Sequence, residues 1–178
     1  MSSLDILLIL LGLLVVGLCL YARFVRALML LVGAYIATLV GVFLYKMAAF
    51  RLQAVGHNQI WFEGLVFLFI FFVTLLAFFL ISRAAYPDTT LPNLGFLDYF
   101  LGALVGILVA GVVMVMTYQG LGVMVSEYWE PYSTFASISA LHGGLHLAPL
   151  LRTFMSLYGY LFYPFFFNTG FPPVLIAG

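Results

Sequence analysis

Four stretches of this chain, residues 6–22, 27–45, 64–82 and 99–126, contain no Asp, Glu, Lys or Arg. They are 17, 19, 19 and 28 residues long, and every Asp, Glu, Lys and Arg lies outside them. A helix rises about 1.5 Å per residue, so roughly 20 apolar residues cross the ~30 Å hydrocarbon core of a bilayer. The pattern predicts four membrane-spanning helices. It also bears on function. Pumps and coupled transporters place ionisable groups at membrane depth, and no run carries a charged residue in its interior.

Composition supports the same reading. Of 178 residues, 66% are hydrophobic and 7% charged, whereas a soluble domain carries about 25% charged residues. Six basic and six acidic residues cancel. There is no basic stripe for nucleic acid and no polybasic cluster for anionic lipid. The one cysteine, Cys19, excludes an intrachain disulfide and reads as a small packing residue in the first run. Met1-Ser2-Ser3-Leu4-Asp5 lacks the positive start of a cleavable signal, so the first run is expected to be retained.

The predicted fold is an all-α integral membrane four-helix bundle over residues 1–130, with a C-terminal segment over 131–178. The first helix is expected from about Leu4 to Ala22, with Ser3 or Asp5 as its cap, and the second from Ala27 to Tyr45. Arg23 and Arg26 mark a very short turn between them. Lys46, Arg51, His57 and Asn58 read as a polar connection, and Trp61-Phe62 as an interfacial anchor. The third helix is expected from Glu63 to Ser82. A loop rich in turn residues follows, from Tyr86 to Gly95, and the fourth helix runs from Leu97-Asp98 to about Gln119. Basic residues divide equally between the two sides. The tight Arg23/Arg26 turn is the stronger retention signal, which favours both termini outside.

The C-terminal segment differs in character. Residues 131–146 are rich in Ser, Thr, Gly and His, and nine of the 18 residues from Phe154 to Phe171 are aromatic. Residues 147–163 read as an interfacial or re-entrant helix. A fifth span over 147–167 is the competing reading, disfavoured by Arg152, Pro149 and Pro164. The tail from Phe171 to Gly178 is apolar, and docking on a partner or lying in lipid would bury it.

Candidate functional positions are few. Gly33, Ala37 and Gly41 form a four-residue repeat on the second helix, and Gly102, Gly106 and Ala110 form another on the fourth. In lipid, small residues let helix backbones approach and gain dispersion contacts. The stripes are expected to pack the second helix on the fourth, or to dock a partner. His142 and His146 are four apart, but a zinc site needs three or four ligands, so they read as interfacial polar residues. Asp5 and Asp98 each follow a leucine at a helix start, where they would serve as caps. Asp98 could also pair with Arg83 or Arg26. No catalytic spacing and no metal set is present, and the Gly120-Leu121-Gly122 run lacks the strand–helix context of a phosphate loop.

The order of these features resembles the colicin V production protein (CvpA) family. That family opens with Leu/Ile-Asp before its first helix, matched by Leu4-Asp5. It has an Arg-Gly-Phe-Val-Arg-Glu-like turn, matched by Ala22-Arg23-Phe24-Val25-Arg26-Ala27. It starts its fourth helix with Asp-Arg-x-x-Gly-x-x-x-Gly, matched by Asp98-Tyr99-Phe100-Leu101-Gly102-Ala103-Leu104-Val105-Gly106. Leu147-Ala148-Pro149-Leu150-Leu151 is similar to a Leu-x-Pro-x-Leu segment of its C-terminal helix. Here Arg23 stands at the family's glycine, Ala27 at its acidic residue and Tyr99 at its arginine.

The resemblance implies a four-helix protein of the bacterial inner membrane, linked to secretion and the envelope, without established catalysis. It also favours the N-out orientation. The first functional expectation is therefore a non-enzymatic protein acting through membrane-protein partners and lipids, with no nucleic acid and no cofactor encoded by a motif. The second is an accessory subunit of a photosynthetic or respiratory complex, packing against pigment, lipid or a quinone path. A small transporter or channel ranks third.

Overall fold

The computed structural model describes residues 2–53, 60–85, 95–166, 170 and 172–175, which are helical throughout apart from short turns. Three helices are long and apolar enough to cross a membrane: α1 (Ser3–Gln53), α2 (Ile60–Ala85) and α3 (Gly95–Met124). A straight helix of 51 residues would run roughly 75 Å, more than twice the hydrocarbon thickness. The chain resolves this at Arg23, whose φ of 66° and ψ of 175° break the helix. Two arms result, before and after the break, and with α2 and α3 they make four crossing segments.

Close approaches give the directions. Moving from Gly12 to Arg23, the first arm meets Met114, then Gly106, then Gly102, so it runs antiparallel to α3. The second arm meets Phe78 at Gly33 and Phe67 at Gly41, antiparallel to α2. Gly64 and Leu68 of α2 in turn meet Gly120 of α3. Arg23 is thus a full reversal made by one residue. We call the membrane side holding Ser3, Gln53, Ile60 and Met124 the start side, and the side holding Arg23, Ala85 and Gly95 the break side.

Several expected boundaries move. The second arm continues past Tyr45 to Gln53, so Lys46 and Arg51 sit on the helix rather than in a connection. Val42, Tyr45 and Ala49 are buried along that extension at helical spacing, which carries the turns outward from the core. The cap of the first arm is Ser2, one residue earlier than Ser3. Its Oγ accepts the Asp5 N–H at 3.2 Å, while Asp5 Oδ2 accepts the Ser2 N–H at 2.7 Å, a reciprocal capping box. His57, Asn58 and the loop expected over 86–94 lie outside the described residues.

The core is centred on α3, where Val109, Val112, Val113, Val115, Met116 and Tyr118 are all buried. The helix α2 is more lipid-facing: its most apolar 18-residue window is 22% buried, against 56% for α3. The polar-looking stretch 131–146 contains a helix, α4 (Tyr132–Gly143), with no buried residue. It lies at the start side, where Trp129 meets both Trp61 and Phe135.

Candidate functional site around the re-entrant segment

After α4 the chain turns back into the bundle. The helix α5 (Ala148–Gly159) is 12 residues, about 18 Å, too short to span. It does not simply lie on the surface either. Its start sits beside Asp5 on the start side, and its end meets the middle of the second arm. The Thr38 hydroxyl donates to the Ala34 carbonyl at 2.9 Å, which leaves its oxygen to accept from Tyr158 Oη at 3.2 Å. One turn deeper, Tyr35 Oη donates to the Leu161 carbonyl at 3.1 Å. Thr38 is equidistant in sequence from Arg23 and Gln53, so Tyr158 reaches half-depth.

There the helix ends in a tight turn, Tyr160–Phe162, and the short α6 (Tyr163–Phe166). The chain then returns toward the start side. Phe166 stacks on Phe43, and the Leu175 carbonyl accepts from Gln119 Nε2 at 3.4 Å. The C-terminal segment is therefore re-entrant. Backbone that leaves helical geometry at membrane depth must be satisfied by protein, and the Tyr35 hydroxyl does this for Leu161. The described part of the apolar tail is not free: Val174 and Leu175 are buried, and the turn Pro173–Leu175 packs on α3.

The entrance to the segment is held by a buried carboxylate. Asp5 has no solvent exposure. Besides Ser2, it accepts the Leu147 N–H at 3.2 Å and lies 3.2 Å from His146 Nδ1. A carboxylate only accepts, so the proton of that contact is on Nδ1. Leu147 immediately precedes α5, and its amide is one of those a helix start leaves without an intrahelical partner. Asp5 therefore caps its own helix and α5 together. His142 goes elsewhere. It stacks on Tyr118 with ring centroids 4.5 Å apart, and Arg152 Nη2 donates to Tyr118 Oη at 3.4 Å. Burial, and then the Arg152 charge, hold the His142 imidazole below its ordinary pKa. The two histidines, four apart in sequence, thus serve different neighbours, and α4 ends at Gly143 between them. Among the described residues no group of three His, Cys, Asp or Glu side chains is placed to hold a metal.

The opposite side has a matching device. Asp98, 2% exposed, is in the first turn of α3 but accepts the Phe24 N–H at 3.1 Å. Phe24 is the first residue after the break, so Asp98 satisfies an amide that the reversal strands. Arg23 adds a second tie: Nη2 donates to Tyr99 Oη at 3.0 Å, and its guanidinium lies 5.1 Å from that ring centroid. Arg26 lines a small cavity at the same level.

The glycine stripes do not meet each other as expected. A Cβ at Gly33 would lie 2.9 Å from Phe78 Cβ, and one at Gly41 3.0 Å from Phe67, so this stripe faces α2. Ala37, between them, is fully buried. A Cβ at Gly102 would lie 2.9 Å from the Arg23 carbonyl carbon, and one at Gly106 2.7 Å from Cys19 Cβ, so this stripe faces the first arm. Ala110 continues it as a buried residue. Two bulky phenylalanines fill the α2 contact, whereas backbone meets backbone at Gly102.

Beneath α5 the structure leaves a groove of about 560 Å³, within the range of ligand-binding cavities. It is walled by Leu31, Val32 and Tyr35 of the second arm, Leu108 and Val112 of α3, and Leu157 and Tyr158 of α5. Its two tyrosine hydroxyls are engaged internally, so it presents an apolar surface. Tyr35, Thr38 and Tyr158 were not singled out from sequence. The available signal was Thr38, a hydroxyl in the middle of an apolar run, with Tyr35 three residues before it.

The family model for the colicin V production protein matches residues 4–158. The chain belongs to this family. Neither a curated protein nor a solved structure gives a significant match. The match covers the four crossing segments and nearly all of α5. Two of the motifs that carry the resemblance, Leu4-Asp5 and the helix start that opens at Asp98, contain the two buried aspartates. In this colicin V production family member, one pins the reversal and the other pins the re-entrant segment.

Proposed function

We propose that this protein is a non-enzymatic component of the bacterial cytoplasmic membrane that acts through other membrane proteins, in work linked to secretion and the envelope. The observation that carries this reading is the apolar groove under α5. It lies at membrane depth and its hydroxyls are already committed to Thr38 and Leu161. Such a surface suits the apolar side of a neighbouring transmembrane helix better than it suits a polar substrate. The buried carboxylates support the same reading, because each is occupied in holding backbone.

A photoactivatable residue at Leu157 or Leu108 tests it in native membranes. Discrete protein adducts are expected from these positions and not from Leu13 on the exposed side of the first arm. Adducts to lipid alone would overturn the proposal. A pigment- or quinone-bearing partner would specify the accessory-subunit form. We also propose that the start side is external, with both ends of the chain there. Tyr132→Cys would then react with an impermeant maleimide on intact spheroplasts, since the native Cys19 is buried.

A further inference from the structure

The helix α5 divides its residues between two faces. Leu151, Met155 and Tyr158 are buried against the bundle. Thr153, Ser156 and Tyr160 recur at three- and four-residue spacing on the opposite face, and all three are exposed. Arg152 does not share their role, because its guanidinium turns back to Tyr118. A helix lying on the membrane would show such a face to water. Here the helix descends instead. A Cβ at Gly111, near the middle of α3, would touch the Phe154 ring, and Tyr158 meets Thr38 at half-depth. The hydroxyl face is therefore carried down into the hydrocarbon.

The state of each hydroxyl decides what can cover it. Thr153 Oγ1 donates to the Pro149 carbonyl at 2.9 Å, and Ser156 Oγ donates to the Thr153 carbonyl at 2.8 Å. Their hydrogens are spent, and their oxygens are left as acceptors. Tyr160, 74% exposed, has no hydrogen-bond partner among the described residues, so it keeps a donor. Acyl chains offer a hydroxyl nothing, and leaving it unmet in hydrocarbon is costly. The face thus holds both a free donor and free acceptors, and it can satisfy a copy of itself.

The geometry suits a symmetric pair. Copies in one membrane share an insertion direction, so a closed pair has its two-fold axis along the membrane normal and matches residues at equal depth. A helical side chain leans over the turn that precedes it. The Tyr160 hydroxyl is therefore carried back toward the level of Ser156. Gly159, next to Tyr160, has nothing within 4 Å of an added Cβ. Its small size serves no contact inside the chain and leaves room for a second backbone. We infer that a second copy of this chain covers the outward face of α5, each Tyr160 hydroxyl donating to Ser156 Oγ of the partner. This face is distinct from the groove of Leu108 and Leu157, and the pairing holds whether or not that groove takes another protein.

Ser156→Cys in native membranes tests the pairing. Oxidation should join two copies through a disulfide, because the axis brings equal positions together, and the native Cys19 is buried. Leu13→Cys, on the exposed side of the first arm, should stay monomeric. Dimerisation measured by dilution in lipid vesicles gives the energetics. Tyr160→Phe keeps the ring and removes the donor, and it should weaken the dimer about eightfold, the loss of two bonds at the strength typical inside a membrane. Ser156→Ala should match it, and the double variant should be no weaker than either single, because all three remove the same bonds. Gly159→Leu meets nothing in its own chain and should prevent pairing while the monomer keeps its melting temperature. Absence of the Ser156→Cys disulfide would overturn the inference, and so would additive losses in the double variant. Modification of Ser156→Cys by an impermeant maleimide would overturn it too, by assigning the face to a water-filled cavity.

Discussion

Asp98 and Asp5 are a pair of buried carboxylates at opposite faces of the membrane, and each satisfies the first amide of a helical segment to which it does not belong. Their surroundings differ. At the break end, α3 comes so close to the first arm that a Cβ at Gly102 would meet the Arg23 backbone. Along the same pair of helices toward the start end, Gly12 meets only the flexible side chain of Met114. The break end is therefore held by backbone contact and a carboxylate together. The start end holds its re-entrant segment through the carboxylate and an exposed histidine, 71% accessible. The same hydrogen-bonding device locks a permanent reversal in one place and secures a peripheral element in the other.

That contrast can be broken first at the glycines. Gly106→Leu should cost about 3 kcal/mol of stability, since the added side chain meets the Cys19 Cβ, with Val16 backbone just behind it, and neither has room to relax. Gly17→Ala, with nothing within 4 Å of the added carbon, should leave the melting temperature in detergent unchanged or raise it. Equal effects of the two substitutions would show that the first arm and α3 are not in close contact. Next, Asp98→Ala removes the acceptor of the part-buried Phe24 amide. It should lower global stability by about 2 kcal/mol, with Asp98→Asn milder because an acceptor remains.

Asp5→Ala should act locally instead. Amide exchange is expected to rise over Leu147–Leu151 and α5 while Phe24 and its neighbours keep their protection. A uniform rise along the chain would make the two carboxylates equivalent and remove the distinction. Arg23→Gly should move stability the other way. The Arg23 backbone, at φ 66° and ψ 175°, occupies a region that glycine alone adopts readily, at a strain of about 1–3 kcal/mol for other residues. Part of the gain is offset by the lost Tyr99 contact, so the double variant Arg23→Gly/Tyr99→Arg should exceed the sum of the singles. An additive result would separate the two positions.

The smallest effect concerns pH. The His142 pKa is lowered in the folded protein, so the unfolded chain binds more protons and stability rises with pH. The contribution is present above the ordinary histidine value of about 6.5 and is lost as pH falls below it. His142→Phe keeps an aromatic partner for Tyr118 and should flatten the slope of melting temperature between about pH 7.5 and 5.5. An unchanged slope would place the titrating group elsewhere.

Much of the four-segment architecture was legible in the residues because lipid imposes a one-dimensional rule: an uncharged run of sufficient length crosses. Both aspartates were visible as helix-start residues beside leucine. Their partners were not visible, because Phe24 and Leu147 contribute only an amide, which every non-proline residue carries. The glycine stripes were legible as stripes. Which helix each one faces depended on rotation about the helix axis, and phenylalanines 67 and 78 decided that for Gly41 and Gly33. Tyr158 meeting Thr38 joins residues 120 apart, and no local pattern encodes that distance. Charge alone reads Lys46 and Arg51 into a connection, because a charged residue in an apolar sequence marks the end of a crossing run. Their side chains stay on the exposed face while Tyr45 and Ala49 remain in the core.

By itself the sequence determined that this is a helical membrane chain of the colicin V production family, where its crossing segments lie, and that its charges belong near the membrane faces. Those follow from the cost of placing charge in hydrocarbon, which acts on each segment separately. The tertiary structure alone decided that Arg23 reverses the chain in one residue. It also decided that the C-terminal segment dips to half-depth and returns, and that the two aspartates cap foreign helices. Those depend on backbone amides and hydroxyls from distant segments finding each other, because the bilayer offers them no water as an alternative partner.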